Sequence, residues 1–339
     1  MIFTPKSVFT FIFIIIILFV SACENATPPE FGSKKNRDYN WEVVTLSAEN
    51  NPDLTFYFSN PFVVDKNKIY MGYQISRGAA GIGFFDGNTF NREFEDSFFS
   101  RCQPLRFNDR LLLISESGAL YSYLSGETPQ LLYKPERGVT FFYGHEYYNE
   151  SLFLLSTQYN STGVKIMKSS GNSIETVYQN PNVSGSIGSF AVKDDKNIYF
   201  TFNPEWSASN QFALYHINNG ISEITWYEEP LSLFKMNNEI YMHDKLASIY
   251  KISDSSVHKI KTIPHPAHNI GSIRGRSEND MILFAIDRLL HYNGINTKTI
   301  YSFNNLVTIN FLEVYDDWIL CTYFDSQDKK FKILRGFLE

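Results

Sequence analysis

A polar turn followed by an aliphatic strand recurs seven times along this chain, and no other feature limits its fold as much. The copies are "NKIYMGY" from Asn67, "NDRLLLIS" from Asn108, "NESLFLLS" from Asn149 and "DKNIYFTF" from Asp195. Then come "NNEIYMHD" from Asn237, "ENDMILFA" from Glu278 and "DDWILCTY" from Asp316. Their leading aliphatics, Ile69, Leu111, Leu152, Ile198, Ile240, Ile282 and Ile319, are spaced by 42, 41, 46, 42, 42 and 37 residues. Near-equal periods of this length mean that one supersecondary unit is repeated, each copy stacking on the next.

A second marker recurs within the units. Asp86-Gly87, Ser125-Gly126, Ser170-Gly171, Asn219-Gly220, Asp254-Ser255 and Asn293-Gly294 are two-residue turns of the type that joins adjacent strands. Asn-Gly and Asp-Gly supply the positive φ angles that tight hairpins require. Alternating or aromatic-rich segments such as "GALYSYL", "FALYHI" and "ASIYKI" lie around them. The 30 Phe and 21 Tyr favour strands over helices. Each unit therefore reads as four short strands, A to D, with a polar turn between A and B and a glycine-type turn between C and D. Periods near 40 residues with four strands predict an all-β fold, a seven-bladed β-propeller.

The last unit has strands A, B and C ("KFKILRGF") but no D strand before Glu339. An orphan strand, "WEVVTL" from Trp41 to Leu46, precedes the first A strand, which is expected at about Leu54 to Val64. Supplying the orphan as the missing outer strand of blade seven balances the count and removes an open sheet edge.

The N-terminus has a different character. Lys6 and the free amine precede an apolar run from Val8 to Val20, 13 residues long. As a helix it would reach only about 20 Å, short of the ~30 Å hydrocarbon core of a bilayer. A secretory signal sequence fits its length better. Val20-Ser21-Ala22-Cys23 follows, and this resembles the bacterial lipobox: an aliphatic residue, two small residues, then Cys. The resemblance implies a lipoprotein in which Cys23 becomes the lipidated first residue of the mature chain. The alternatives are a plain signal peptide cleaved near Ala22 and an uncleaved anchor. The expected organisation is a signal peptide over 1–22, a flexible tether over 23–40 with Pro28-Pro29 and a charged run, and the propeller over 41–339. Glu24 is not the Asp that retains enterobacterial lipoproteins at the inner membrane, so the expected location is the cell envelope, lipid-anchored at the outer membrane.

Blade six reads "GSIRGRSENDMILFAIDRLLHYNG", Gly271 to Gly294. It is similar to a propeller repeat of secreted bacterial proteins, roughly Ile-Trp-Gly-Ser-Ser-x-Asn-Asp, an aliphatic-Ala-Val-Gly strand and His-Tyr-Asp-Gly. Ile273, Gly275, Ser277, Asn279, Asp280, Ala285 and His291 to Gly294 stand in matching places, while Arg274 and Arg276 replace a Trp and a Ser. The resemblance implies relatives among surface or periplasmic lipoprotein propellers and carries no chemistry with it.

In a propeller the D–A and B–C loops share one face around the channel mouth. The B–C loops "QISRGAAG" of blade one, "QYNSTG" of three, "NPEWSASNQ" of four and "FDSQDKK" of seven are expected to be extended. Recognition concentrates on such loops, and Arg77, Tyr159 and Trp206 are their best-placed side chains, offering charge and rigid aromatic surface. Against this, Trp206 can simply pack its own loop down. His265 and His268 of "PHPAHN" lie three apart in a D–A loop, but zinc needs further ligands and none is visible, so no metal is expected. Arg274 and Arg276 alternate on the innermost strand of blade six, where they are placed to hold a carboxylate or phosphate, or merely to be solvated.

The acidic pairs Asp194-Asp195 and Asp316-Asp317, with Asn108-Asp109, repeat in the A–B turn, where turn chemistry accounts for them. Cys102 and Cys321 fall two blades apart and read as buried free thiols. The net charge of −6 is spread without a basic stripe, which argues against a nucleic-acid partner. No nucleophile elbow, phosphate loop or zinc-protease helix is present, and no cofactor is expected. The expected function is a non-catalytic binding or scaffold module for a protein, envelope component or glycan. The alternative is a carbohydrate-active hydrolase or lyase with its site at the channel mouth.

Overall fold

The computed structural model describes residues 37–46, 56–75, 80–96, 102–107, 110–115, 118–135, 140–158, 163–170, 173–180, 186–203, 212–218, 220–227, 232–254, 256–267 and 269–339. Among them, every regular element is a strand, and the 29 strands form seven antiparallel sheets. Each sheet is one blade of a β-propeller. All seven marker aliphatics sit on the second strand of their blade, and every one is buried. That strand is covered by sheet neighbours at its edges and by adjacent blades on both faces. It must therefore be apolar at nearly every position, as "RLLLI" (Arg110–Ile114) and "DMILFA" (Asp280–Ala285) are.

Ring closure follows the expected plan. Tyr39–Leu46 pairs antiparallel with Lys330–Leu338, running from Tyr39 opposite Leu338 to Leu46 opposite Phe331. The fourth strand of blade seven thus comes from the opposite end of the chain. It starts two residues earlier than the pattern "WEVVTL" indicates, because Tyr39 is itself buried. Arg335 fixes the seam with blade one. Its Nη2 reaches Glu42 Oε2 at 2.7 Å and Gly87 O at 2.7 Å, and its Nη1 reaches Lys66 O at 2.8 Å. The guanidinium also lies 4.9 Å from the Phe85 ring and 5.4 Å from that of Phe337, so a buried charge is both paired and stacked.

Two details depart from the expected layout. The first A strand is broken into Phe56–Phe58 and Phe62–Asp65, both paired with Lys68–Ile75. Pro61 lies in the gap and has no N–H to give a ladder, and Ser59 Oγ takes the Gly72 N–H there at 2.9 Å. In blade seven the B–C connection is a compact turn rather than an extended loop. Asp325 Oδ1 accepts from the backbone N–H of Gln327 and Asp328, while its Oδ2 takes Lys332 Nζ at 2.8 Å.

Blades pack closely enough to exclude side chains in places. A Cβ on Gly72 would lie 1.8 Å from the Cys102 carbonyl oxygen, so blades one and two touch backbone to backbone there. Cys102 and Cys321 are fully buried free thiols, and burial pushes both far above the usual thiol range.

Candidate functional site at the channel axis

The innermost strands of blades three to seven enclose an axial cavity of about 460 Å³. Four charged side chains from four blades line it: Glu146 in Thr140–Tyr148, Lys235 in Ser232–Met236, Arg274 in Ser272–Ser277 and Glu313 in Val307–Val314. Strand alternation produces this set. Lys235 and Glu313 alternate with buried apolar neighbours, Phe234 and Met236 around Lys235 and Leu312 beside Glu313.

Arg274 Nε lies 3.7 Å from Glu313 Oε2, an ion pair too long for a hydrogen bond, and its Nη1 donates to the Ile273 carbonyl at 2.8 Å. Lys235 Nζ donates to the Val192 carbonyl at 3.1 Å and sits 5.8 Å from the Tyr148 ring centre. The Glu313 side chain keeps 40% of its accessible surface and that of Arg274 30%, so the pair lies deep in the ring but still meets open cavity space.

These surroundings raise the proton affinity of both carboxyls. Burial pushes Glu146 up to about 7; the Lys235 and Arg274 charges pull the other way, and Glu313 adds repulsion. Burial likewise raises Glu313, against the opposing charge of Arg274 and a hydrogen bond from the Val314 backbone. His145, next along the strand, is held in contact with Gln103 Nε2 at 3.2 Å, and burial lowers it to about 4, leaving it neutral. The cavity therefore offers a lysine, an arginine, a neutral imidazole and two carboxyls of raised proton affinity.

The expected site residues separate. Arg274 lines the axial cavity. Arg276, two residues on, does not share it. A bulge between Gly275 and Ser277 shifts the register at the turn end of the strand. There Arg276 Nε donates to the Tyr315 carbonyl at 2.5 Å, and Nη1 contacts Tyr39 Oη at 3.2 Å and Asp280 Oδ1 at 3.4 Å. Arg37, Arg276, Asp280 and His291 surround a second cavity of about 370 Å³ on the A–B turn face. Asp280 Oδ2 lies 2.7 Å from Arg37 Nη2 and Oδ1 lies 3.0 Å from His291 Nε2. Burial alone would raise Asp280, but the His291 hydrogen bond and the Arg276 and Arg37 charges outweigh it and hold the carboxyl below its usual range.

His265 is on the D–A connection as expected, and its Nε2 contacts the Leu246 carbonyl at 3.2 Å. Arg77, Tyr159, Trp206, His268 and the lipidation candidate Cys23 lie outside the described residues. Among the described residues no group of three or more His, Cys, Asp and Glu side chains is arranged to hold a metal. Among the acidic turn residues, Asp194 is a cap: its Oδ1 accepts the Lys196 and Asn197 N–H groups at 2.9 and 2.8 Å.

Glu146, Lys235 and Glu313 are the members that sequence reasoning passed over. The available signal was a single charge inside an otherwise apolar first strand: "GHEYY", "LFKM" and "NFLEV".

No family model and no curated protein matches the chain. Solved structures do match. A structure of oligogalacturonate lyase in complex with manganese is 12% identical, with TM-score 0.59, over 91% of this chain and 99% of that one. YCF48 bound to D1 peptide is 12% identical, with TM-score 0.58, over 89% and 98%. BBS1N in complex with ARL6DN is 14% identical, with TM-score 0.56, over 90% and 98%. What the chain shares with them is the fold. They include both a lyase and peptide- or protein-bound proteins, so the fold alone does not select a chemistry.

Proposed function

We propose that the chain is a lipid-anchored binding module of the cell envelope, which recognises a protein, envelope component or glycan on the face where the D–A and B–C connections meet the channel. The observation that carries this reading is the convergence of Glu146, Lys235, Arg274 and Glu313, from four blades, on one cavity at the axis. Separate blades supplying complementary charges to a rigid ring is an arrangement suited to orienting a ligand.

The anchor gives this face a direction. Tyr39, where the closing strand begins, pairs with Leu338 at the A–B turn side of the ring, and the strand then runs toward the loop face. A chain held at Cys23 enters from the turn side and leaves the loop face pointing away from the lipid. Of the proposed contact residues, His265 belongs to that outward face. Arg276 belongs to the turn side.

The test is capture from an envelope extract by three tethered forms: wild type, Lys235→Gln/Arg274→Gln, and Tyr159→Ala/Trp206→Ala. Partners held by wild type and lost from either variant support the reading; identical sets from all three overturn it.

One observation favours a second reading, a carbohydrate-active hydrolase or lyase. Glu146 and Glu313 bring two carboxyls of raised proton affinity to the same cavity, the residue types that glycoside hydrolysis uses as acid and as base or nucleophile. Turnover of a polysaccharide by wild type, abolished in Glu146→Gln and Glu313→Gln, would replace the binding reading with this one.

A further inference from the structure

The axial cavity holds two basic and two acidic side chains, so its net charge follows the protonation of the carboxyls. Arg274 and Glu313 face each other at 3.7 Å and offset one another. Lys235 and Arg274 both reach Glu146 electrostatically, and Glu313 repels it. With Glu146 protonated, the two cations meet only one carboxylate, leaving a unit of positive charge inside the ring. The ammonium of Lys235 has three donors and gives one to Val192 O, and the guanidinium of Arg274 has five and gives one to Ile273 O. Asn60, Ser272 and Asn310 add neutral polar groups to the wall. A volume of about 460 Å³ is within the range of small-molecule sites.

We propose that this cavity binds a small hydroxylated carboxylate, its anionic group held by Lys235 and Arg274 and its hydroxyls by the amides and Glu313. The inference rests on the binding reading above for its biological setting, but the site itself stands on the residues lining the axis.

Proton linkage follows directly. A ligand that requires neutral Glu146 binds with net uptake of a proton wherever that carboxyl is otherwise ionised. The other groups facing Glu146 do not reverse the sign. Lys235 and Arg274 both pull Glu146 toward its ionised form. His145 on the same strand is already neutral, since burial holds it at about 4, and Glu313 gains rather than loses protons on acidification.

Titration calorimetry of the intact chain with three probes tests this: D-gluconate, which has carboxylate and hydroxyls; acetate, which has only the carboxylate; and sorbitol, which has only hydroxyls. Gluconate is expected to bind most tightly, acetate weakly and sorbitol not at all. Gluconate affinity should rise about tenfold from pH 8 to pH 6, with proton uptake visible as a dependence of the heat on buffer ionisation. Glu146→Gln should flatten the pH profile, and Lys235→Gln should lower affinity at least tenfold. Sorbitol binding as tightly as gluconate, no binding of either acid, or gluconate affinity independent of pH in wild type would each overturn the proposal. The wild-type pH profile needs no variant to fold. Envelope capture that persists while both acids fail to bind would sink this inference alone, whereas unchanged capture by the channel and loop variants would sink the binding reading.

Discussion

Arg37 Nη2 lies 2.7 Å from Asp280 Oδ2, so the residue entering the closing strand is clasped to blade six rather than to its own blade. The same carboxylate holds His291 and Arg276, and Arg276 in turn contacts Tyr39. Lys298 adds an outer tie to Asp38 at 3.0 Å. Motif residues of the blade-six repeat, Asp280 and His291, thus serve the seam of the ring.

Asp280→Ala is expected to destabilise the protein by about 2–4 kcal/mol, because it strands the nearly buried Arg276 charge as well as removing three partners. Denaturant unfolding measures the loss, and hydrogen exchange should show the Tyr39–Leu46 strand opening first. In wild type the folded pKa of Asp280 is depressed, so its contribution is present above the usual Asp range and lost as pH falls through the folded value.

Gly336 faces Trp41 across the closing pair, and a Cβ there would lie 2.5 Å from Trp41 Cζ3. Trp41 has little room to retreat, with the Tyr301 ring centre at 5.0 Å. Gly336→Ala should therefore cost about 1–3 kcal/mol through overpacking. In a double-mutant cycle with Trp41→Leu the costs should be strongly non-additive, and simple additivity would show that the ring is not the obstacle.

His243 is 2% exposed, and burial, helped by the Arg274 charge, lowers it to about 4. The unfolded chain takes up this proton near pH 6.5 and the folded chain only near 4, so stability should fall as pH drops through that window. The loss at pH 4 is about 2–3 kcal/mol from this residue. His243→Asn, which can still donate to the Asp244 carbonyl, should flatten the acid limb of a melting-temperature profile.

Glu146 has the opposite sign. Its folded pKa of about 7 exceeds the unfolded value, so the folded state loses stability as pH rises from about 5 to 8. Allowing for solvent in the cavity, about 1–2 kcal/mol is at stake. Glu146→Gln should remove this alkaline loss, and a variant with an unchanged alkaline limb would mean that the carboxyl is better solvated than its surroundings imply.

Cys23→Ser should abolish incorporation of radiolabelled palmitate and release the chain from the membrane fraction. A stable anchor needs more than one acyl chain, so partial retention is expected only if the apolar leader remains uncleaved.

The ring was legible in the sequence because Ile69, Leu111 and their five counterparts occupy a strand buried on both faces, next to a turn that is always polar. The same logic places Tyr39–Leu46, since one unit lacked a strand and one strand lacked a unit. The axial charges were harder to see. A polar residue on an innermost strand alternates in the same way whether it meets bulk water or the centre of a ring, so Glu146 and Glu313 looked like ordinary solvent-facing positions. Arg274 was found because two arginines in "SIRGRS" stand out, yet the bulge that sends Arg276 to a different cavity leaves no mark in the alternation. Asp325 made blade seven's connection compact through three contacts that loop length alone does not encode.

Tyr39 and Leu338 are neighbours in one sheet although 299 positions separate them. A contact of such range closes only against the loop entropy of the chain between its ends, which here holds six blades. If the chain is exported as the leader suggests, a ring that cannot shut until its final strand arrives stays threadable throughout translocation. The seam is then the last joint made on the far side.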